Sequence, residues 1–265
     1  MGGNEVNFED ILYEKKEGVA RIIINRPDVL NAFRTATLKE LASAFEDASL
    51  DGTIGVVVLR GAGEKAFCVG GDAKESAGGS GYPREMDYWH TRVHQAIRGT
   101  EKPVIAAVNG YCIGGGNILQ ILCDLTIAAE TAKFGQAGPR VGSFDAGYGA
   151  AYLARIVGEK KAREIWFLCR QYTAQEALDM GMVNKVVPQE KFDEEVASWC
   201  REILNLSPTA LKFLKIAFNA DSDAIFGTEA MAMAGVRLYW ETDEANEWKK
   251  AFWEKREPEW KRFRK

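Results

Sequence analysis

The sequence predicts an α/β fold on three observations. The segment ILYEKKEGVARIIINRP alternates apolar and polar residues around a glycine-containing turn and stops at Pro27, which predicts two paired strands. The order strand, glycine turn and helix then occurs twice in succession. The remainder of the chain has apolar residues mainly at helical spacing. Strands in the first half and helices in the second half therefore make up the predicted fold.

The elements of the first half follow in order. TLKELASAFEDASLD has the apolar spacing of a helix, and IGVVVLRGAG is a short buried strand that ends in glycine. The chain then enters a polar, glycine-rich loop at 77–81, whose composition suits a lid over a bound substrate. KPVIAAVNGY is a second strand, and CIGGGNILQILCDLTIAAE predicts a turn, a buried helix and another strand.

The second half is predicted to be largely helical. AAYLARIVGEKKAREIWFLCR is one strongly periodic helix, and TAQEALDMGMVNKVVP is a helix followed by a short strand. Two amphipathic helices follow, and the second is entered through Ser207 and Pro208, a pattern that suits a helix N-terminus. The tail EANEWKKAFWEKREPEWKRFRK is aromatic and basic, which is typical of a helix with an apolar stripe and indicates a subunit interface.

Composition favours a small-molecule partner. The 265 residues are 46% hydrophobic and 27% charged, an ordinary globular composition. A net charge of −4 gives no support for binding to nucleic acid or to an anionic membrane surface. Five cysteines without a CxxC pair are a poor disulfide framework and predict a reducing, cytoplasmic location. No apolar stretch is long enough to span a bilayer.

The two histidines of the chain are four residues apart. This spacing places His90 and His94 on one face of a helix, as metal ligands can be placed, but the glutamate of an HExxH pattern is absent. We therefore expect a helix face and predict no metal site.

Two glycine turns are the strongest local signal. CVGGDAK at 68–74 and GYCIGGGN at 110–117 each follow a strand, and the second stands at a helix N-terminus, where free N–H groups favour negative charge. Two such turns can converge on one oxygen atom and form an oxyanion hole, in which each donor is worth about 2.7–4 kcal/mol of barrier stabilisation. Tight turns without this role remain an alternative, whereas a dinucleotide site lacks its GxGxxG pattern.

Four ordered motifs resemble the crotonase (enoyl-CoA hydratase/isomerase) superfamily over nearly the whole chain. They are INRPDVLNAF, AFCVGGDAKE, KPVIAAVNGYCIGGGN and FGQAGP. The resemblance implies a crotonase/ClpP-like ββα spiral core at 1–200 and a C-terminal helical oligomerisation region at 201–265 that makes trimer contacts. It also implies homotrimers or dimers of trimers. The implied substrate is an acyl-CoA whose thioester oxygen sits between the amides of Gly71 and Gly115, with coenzyme A as part of the substrate and no tightly bound organic cofactor.

The chain departs from the hydratases of this superfamily at two positions. Hydratases carry two glutamates that add water across a double bond, and the matching residues here are Ile118 and Gly138. Because neither side chain can exchange a proton, a simple hydratase mechanism lacks its general acid and base.

A narrower resemblance concerns the run from GPRVGSFDAGYG to ALDMGMVN. It is similar to 1,4-dihydroxy-2-naphthoyl-CoA synthase, which closes a ring, and to 2-ketocyclohexanecarboxyl-CoA hydrolase, which opens one; both pass through the enolate of a CoA thioester. Ala73, Ser76 and Trp240 replace a glutamine, an arginine and a tyrosine of the synthase. Two features favour the hydrolase, which also lacks the arginine and has a similar methionine-rich stretch. Two features count against it: the hydrolase too carries the tyrosine, and GSFDAGYG follows the synthase more closely.

We therefore expect a ring-opening hydrolase that acts on a cyclic 3-oxoacyl-CoA. The synthase is the alternative, and a non-catalytic protein that binds CoA esters is a third reading. Asp145 is the expected acid/base or water-positioning group with Ser143 as its neighbour, because residues i and i+2 of an extended segment point the same way. A cap on the helix near Ala150 is the other reading of Asp145.

The resemblance assigns further residues to binding. In synthases with glycine at the matching position, a bicarbonate replaces the missing glutamate, and the matching cradle here is Gln136, Gly138 and Trp166. The substrate pocket would be bordered by Trp240 and Tyr148. The CoA moiety would be bound by Arg34 and Lys74 near the adenine and phosphates, and by Phe252 and Lys255 reaching a neighbouring subunit's ligand. The four CoA residues could equally be solvated surface residues.

Overall fold

Two sheets and ten α-helices form the framework of the computed structural model, which describes residues 8–75 and 82–264. The strands are β1 (Ile11–Lys16), β2 (Val19–Ile24), β3 (Val56–Gly61), β4 (Ala66–Cys68), β5 (Val104–Val108), β6 (Tyr111–Ile113), β7 (Leu125–Ala129), β8 (Lys133–Gly135), β9 (Gln171–Thr173) and β10 (Lys185–Val187). The helices are α1 (Thr35–Leu50), α2 (Arg84–Gly99), α3 (Gly115–Leu122), α4 (Leu153–Val157), α5 (Glu159–Leu168), α6 (Ala174–Asp179), α7 (Phe192–Leu204), α8 (Pro208–Ala220), α9 (Ile225–Trp240) and α10 (Asp243–Glu254). A π-helix, Gly147–Tyr152, precedes α4.

The larger sheet has the order β1-β2-β3-β5-β7-β10. Its first two strands are antiparallel around the predicted glycine turn, and the next pairs are parallel. The central strands β3 and β5 are apolar except for Arg60 near the end of β3, because both faces of the sheet are covered, which is the usual condition of parallel strands. This sheet is the rigid base from which the site is built.

The smaller sheet brings the two glycine turns together. Its order is β4-β6-β8-β9, and β4 and β6 are parallel neighbours. One turn follows β4 and the other follows β6, so both lie at the same edge of this sheet. Convergence of the turns, which the sequence only suggested, is therefore a direct result of strand order.

The predicted elements of the first half are present, but one prediction for the second half is wrong. The periodic segment from Ala150 to Arg170 is not one helix, because Gly158 has a φ of 78° and separates α4 from α5. Ser207 caps α8 as expected, since its side chain accepts from the backbone N–H of Ala210. The predicted lid at 77–81 lies outside the described residues.

The C-terminal helices return to the core. The boundary expected at residue 200 falls inside α7, and α9 packs against the π-helix with Ile225, Ala232 and Val236 buried. Among the described residues, no helix combines the length and the apolar character that crossing a membrane requires.

Candidate active site

A cavity of about 300 Å³ lies where the two glycine turns meet. Eight of the predicted site residues line it: Gly71, Gly115, Gln136, Gly138, Ser143, Asp145, Trp166 and Trp240. Apolar and aromatic side chains make up much of the remaining wall, including Phe33, Met86 and Val236. The cavity therefore combines a mainly apolar surface with few polar groups, which suits a small organic ligand.

Pairing with Phe33 directs the Gly71 amide. Phe33 donates its N–H to the carbonyl of Gly70 at 2.8 Å and accepts from the N–H of Asp72 at 2.8 Å. In such a parallel bridge the residue between the two bonded groups points its own N–H away from the partner strand. The Gly71 N–H is thus directed away from Phe33, and Gly71 lines the cavity.

The second turn places the N-terminus of α3 beside the first. Gly114 has φ 59° and ψ −125°, a conformation that glycine adopts readily. Gly115 is the first residue of α3, so its N–H has no acceptor within the helix, and the helix dipole favours negative charge there. A Cβ on Gly70 would lie 3.0 Å from the Gly115 nitrogen, so a side chain there would crowd the site.

Asp145 both caps a helix and faces the cavity. Its Oδ1 accepts from the N–H groups of Gly147 and Gly149, each at 2.9 Å, at the start of the π-helix. A Cβ on Gly149 would lie 2.9 Å from the Asp145 Cγ, which explains why this carboxyl requires a glycine beneath it. Burial, followed by the nearby Glu229 carboxylate, raises the pKa of Asp145 to about 7. The two sequence readings of Asp145 are therefore compatible.

A buried histidine–glutamate pair lies behind this carboxyl. The imidazole Nδ1 of His94 is 3.2 Å from Oε1 of Glu229, and Oε2 of Glu229 accepts from the N–H of Tyr148 at 3.1 Å. Both side chains are completely buried. Burial lowers the pKa of His94 to about 4 and that of His90, whose ring centroid is 4.1 Å from that of His94, to about 3.

This cluster fits hydrogen bonding better than metal ligation. One ligating atom from each of His90, His94 and Glu229 can be chosen so that all lie within 4.8 Å of one another. Ligand atoms around a tetrahedral zinc ion would be roughly 3.4 Å apart. The contact between His94 Nδ1 and Glu229 Oε1, at 3.2 Å, has the length of an ordinary hydrogen bond.

The predicted anion cradle offers one donor group. The amide of Gln136 is buried, and neither its nitrogen nor its oxygen has a partner within the described part of the chain. The indole N–H of Trp166 donates to the carbonyl of Gly149 at 2.6 Å. A Cβ on Gly138 would meet the Ser143 carbonyl oxygen at 2.7 Å and the Trp166 ring at 2.9 Å. An anion here would therefore be held mainly by Gln136.

A match to a family model decides the classification. The enoyl-CoA hydratase/isomerase model matches residues 14–263, which is nearly the whole chain. The chain belongs to the enoyl-CoA hydratase/isomerase family. Members of this superfamily are enzymes that act on acyl-CoA.

Solved structures of this family superpose closely. An enoyl-CoA hydratase/isomerase from Xanthobacter autotrophicus Py2 is 32% identical, with a TM-score of 0.83 over 93% of this chain and 94% of that one. EchA1_1 from Mycobacterium paratuberculosis is 31% identical, with a TM-score of 0.85 over 96% and 98%. An enoyl-CoA hydratase/carnithine racemase from Magnetospirillum magneticum is 32% identical, with a TM-score of 0.77 over 96% of each chain. The fold is thus the crotonase type with a helical C-terminal region.

Within this family the chain lacks the two glutamates expected of a hydratase. Ile118 and Gly138, at the matching positions, both line the cavity. Ile118 presents only apolar atoms, and a side chain at Gly138 would collide with Ser143 and Trp166. Among the described residues, two carboxylic acids line the cavity, Asp87 and Asp145. Asp87 is paired with Arg237, whereas Asp145 accepts from backbone N–H groups.

The aromatic wall differs from the expectation at one residue. Trp240 lines the cavity, and its ring meets that of Tyr82 edge-on at 5.4 Å between centroids. Tyr148 is placed elsewhere: its ring packs against those of His94 and Tyr152, with the Arg98 guanidinium over its face. Tyr148 contributes its backbone N–H to the site instead, because that group binds Glu229.

The residues expected to bind CoA lie outside the described cavity wall. The guanidinium of Arg34 is paired with Glu9 and Asp10, at 2.6 and 2.7 Å. Lys74, Phe252 and Lys255 are exposed.

Sequence reasoning missed four residues of the site. Tyr82, His90 and Lys249 line the cavity, and burial lowers the pKa of Lys249. Glu229 lies behind Asp145. Its signal was present, because Glu229 is a lone acid in the apolar run IFGTEAMAMAG. For His90 the spacing with His94 was visible, but its environment was not.

Proposed function

We propose that this chain opens the ring of a cyclic 3-oxoacyl-CoA by adding water, as a 2-ketocyclohexanecarboxyl-CoA hydrolase does. One observation carries the proposal: Asp145, a carboxyl with a pKa raised to about 7 by burial and by Glu229, lines the same cavity as both glycine turns, while the two hydratase glutamates are absent. A group with a pKa near 7 can accept and return a proton at neutral pH.

The Asp145 carboxylate takes a proton from water, whose oxygen forms a bond with the ring ketone carbon. The bond between this carbon and the carbon next to the thioester then breaks. The ketone carbon becomes a carboxylic acid, and the electron pair passes into the thioester enolate. Protonated Asp145 finally returns its proton to the enolate carbon, so that one water is consumed and CoA stays attached.

The glycine turns would stabilise the enolate. The enolate oxygen would accept hydrogen bonds from the N–H groups of Gly71 and Gly115. The bridge to Phe33 and the start of α3 hold these two groups in place before the reaction. Ser143 lines the same wall and would hydrogen-bond the water or the tetrahedral intermediate.

A bicarbonate ion beside Gln136 is a second proposed source of the base. The buried amide of Gln136, which has no hydrogen-bond partner among the described residues, supports this proposal. Ser143 and Trp166 pack against Gly138 and limit the space for the ion. When bound, such an ion would supply a proton acceptor in place of a glutamate.

The deciding experiment offers two substrates side by side. 2-Ketocyclohexanecarboxyl-CoA and o-succinylbenzoyl-CoA are each incubated with the enzyme and the products followed by mass, with crotonyl-CoA as the hydratase control. We expect the first to gain one water while retaining CoA, and crotonyl-CoA to remain unchanged.

Each other outcome points to a different activity. Loss of water from o-succinylbenzoyl-CoA identifies the ring-closing synthase, which the run GSFDAGYG favours. Hydration of crotonyl-CoA would refute the argument from the missing glutamates. Binding of these CoA esters without turnover, also with larger or substituted rings, would favour a non-catalytic role.

A further inference from the structure

A fully buried carboxyl, Glu229, and a half-buried one, Asp145, share one short stretch of backbone. Gly147 and Gly149 donate to Asp145, and Tyr148 between them donates to Glu229. Consecutive Cα atoms are only about 3.8 Å apart, so carboxyls bound to neighbouring amides interact strongly. A Cβ on Gly147 would overlap the Glu229 carboxylate, which shows how closely α9 approaches this backbone.

His94 connects the second carboxyl to the rest of the cluster. Its Nδ1 is bonded to Glu229, which makes Nδ1 the protonated nitrogen of the neutral ring when Glu229 is ionised. The opposite nitrogen, Nε2, is buried and has no partner among the described residues. Nε2 is therefore a buried polar atom beside the site whose hydrogen-bonding capacity is not used by the described residues.

Charge balance limits the ionisation of this group. Two ionised carboxylates around a neutral imidazole would leave two negative charges close together, stabilised by the N–H groups of Gly147, Tyr148 and Gly149 and by the His94 imidazole. Like charges that share a site drive one member to keep its proton. Other titratable groups that face the cluster are His90 on α2 and Tyr148, and Arg98 stands beyond the Tyr148 ring. Asp87 on α2 and Lys249 on α10 line the same cavity as Asp145.

We propose that Asp145, His94 and Glu229 act as one proton-sharing unit, in which Glu229 and His94 are positioning residues that set the protonation state of Asp145. Glu229 opposes the ionisation of Asp145 through its charge, and His94 favours it, since positive charge on the imidazole offsets the charge of the carboxylates. The proposal rests on the proposed function in that Asp145 is taken as the acid/base.

The first test is the pH dependence of turnover in two variants. Glu229→Gln keeps an oxygen for the Tyr148 N–H but removes the charge, so the acidic limb of the kcat profile should move to lower pH by about one unit, a ten-fold change in proton concentration. His94→Gln should move it to higher pH. Glu241→Gln, an exposed change just after the same helix, should leave it in place. Because a purely structural defect would not produce opposite shifts, equal or absent shifts would overturn the proposal.

The second test needs no substrate. The unfolded-state pKa of Asp is about 3.9, and the folded-state pKa of Asp145 is about 7. The wild type should therefore lose thermal stability relative to Asp145→Asn between about pH 4 and pH 7, with a constant difference above that range. In a Glu229→Gln background this difference should shrink.

The two tests separate the two proposals. If Glu229→Gln reduces the stability difference between the wild type and Asp145→Asn, but the protein opens no ring, the proposed function is refuted and the proton-sharing unit is supported. If Glu229→Gln leaves that stability difference unchanged, the proton-sharing unit is refuted, whether or not the protein opens a ring. A zinc ion that co-purifies at one per chain and is lost in Glu229→Gln would replace the unit with a metal site.

Discussion

At the scale of single residues, one pair of variants can separate the cap that Asp145 forms from its proposed acid/base role. Asn at this position retains an oxygen for the Gly147 and Gly149 amides but cannot accept a proton, whereas Ala removes both functions. We expect Asp145→Asn to fold and bind CoA ester while turnover falls about 10²–10⁴-fold. Asp145→Ala should in addition lose about 1 kcal/mol of stability through the lost cap.

The measurements are kcat for ring opening of 2-ketocyclohexanecarboxyl-CoA and the free energy of unfolding in urea, for both variants. Full activity in Asp145→Asn would show that Asp145 is only a cap. Equal stability of the two variants would show that the hydrogen bonds to Asp145 Oδ1 contribute little.

The anion proposal is also decided at one residue. Decarbonated enzyme should gain activity when bicarbonate is added, and Gln136→Ala should lose most of that response, because the Gln136 amide is the available donor in the cradle. Chloride at the same ionic strength is the control. Without a response to bicarbonate in the wild type, Asp145 would remain the sole proposed base.

At the scale of elements, the contact between α9 and the π-helix fixes the site. Gly147 lies against Glu229, where a Cβ would come 2.5 Å from the Glu229 Cα, so the clash involves backbone that cannot rotate away. We expect Gly147→Ala to lose about 1–3 kcal/mol of unfolding free energy. Its control is Gly227→Ala on α9, where nothing lies within 4 Å of the added Cβ and helix propensity predicts a gain of up to about 1 kcal/mol.

Urea unfolding of both variants gives the comparison. If Gly147→Ala were as stable as Gly227→Ala, the close approach of α9 to the π-helix would be refuted. At the start of the π-helix, Asp145 and Glu229 together accept from the N–H groups of Gly147, Tyr148 and Gly149, which have no acceptor within the helix.

At the scale of the whole molecule, exposed apolar side chains on the C-terminal helices support the predicted oligomer. Large exposed examples are Phe213, Phe218, Met231, Leu238, Phe252 and Trp253. When exposed apolar side chains adjoin one another, they commonly mark an interface. We expect light scattering to give three or six times the chain mass of 29.4 kDa.

A matched pair of variants tests which face is used. Trp253→Asp on α10 should shift the protein toward smaller species, and Leu50→Asp, an equally exposed apolar position at the end of α1, should not. A wild type that is monomeric at every concentration would contradict the prediction of trimer contacts.

The sequence by itself determined the α/β class, the paired opening strands and the two glycine turns. These features are local: a strand period is visible in a few residues, and a backbone conformation such as that of Gly114 is encoded by the glycine itself. The missing hydratase glutamates were visible in the same way, at Ile118 and Gly138. The break at Gly158 was overlooked because helical periodicity continues on both sides of it.

Only the tertiary structure decided what surrounds Asp145. Glu229 is 81 residues from the amide of Tyr148 that it binds, and His94 is 135 residues from Glu229, so no local pattern links them. The protonation of Asp145 depends on burial and on these distant charges, which act through space and not along the chain. The carboxyl could therefore be recognised from sequence, whereas its readiness to exchange a proton near neutral pH arises from the packing of α2 and α9 around it.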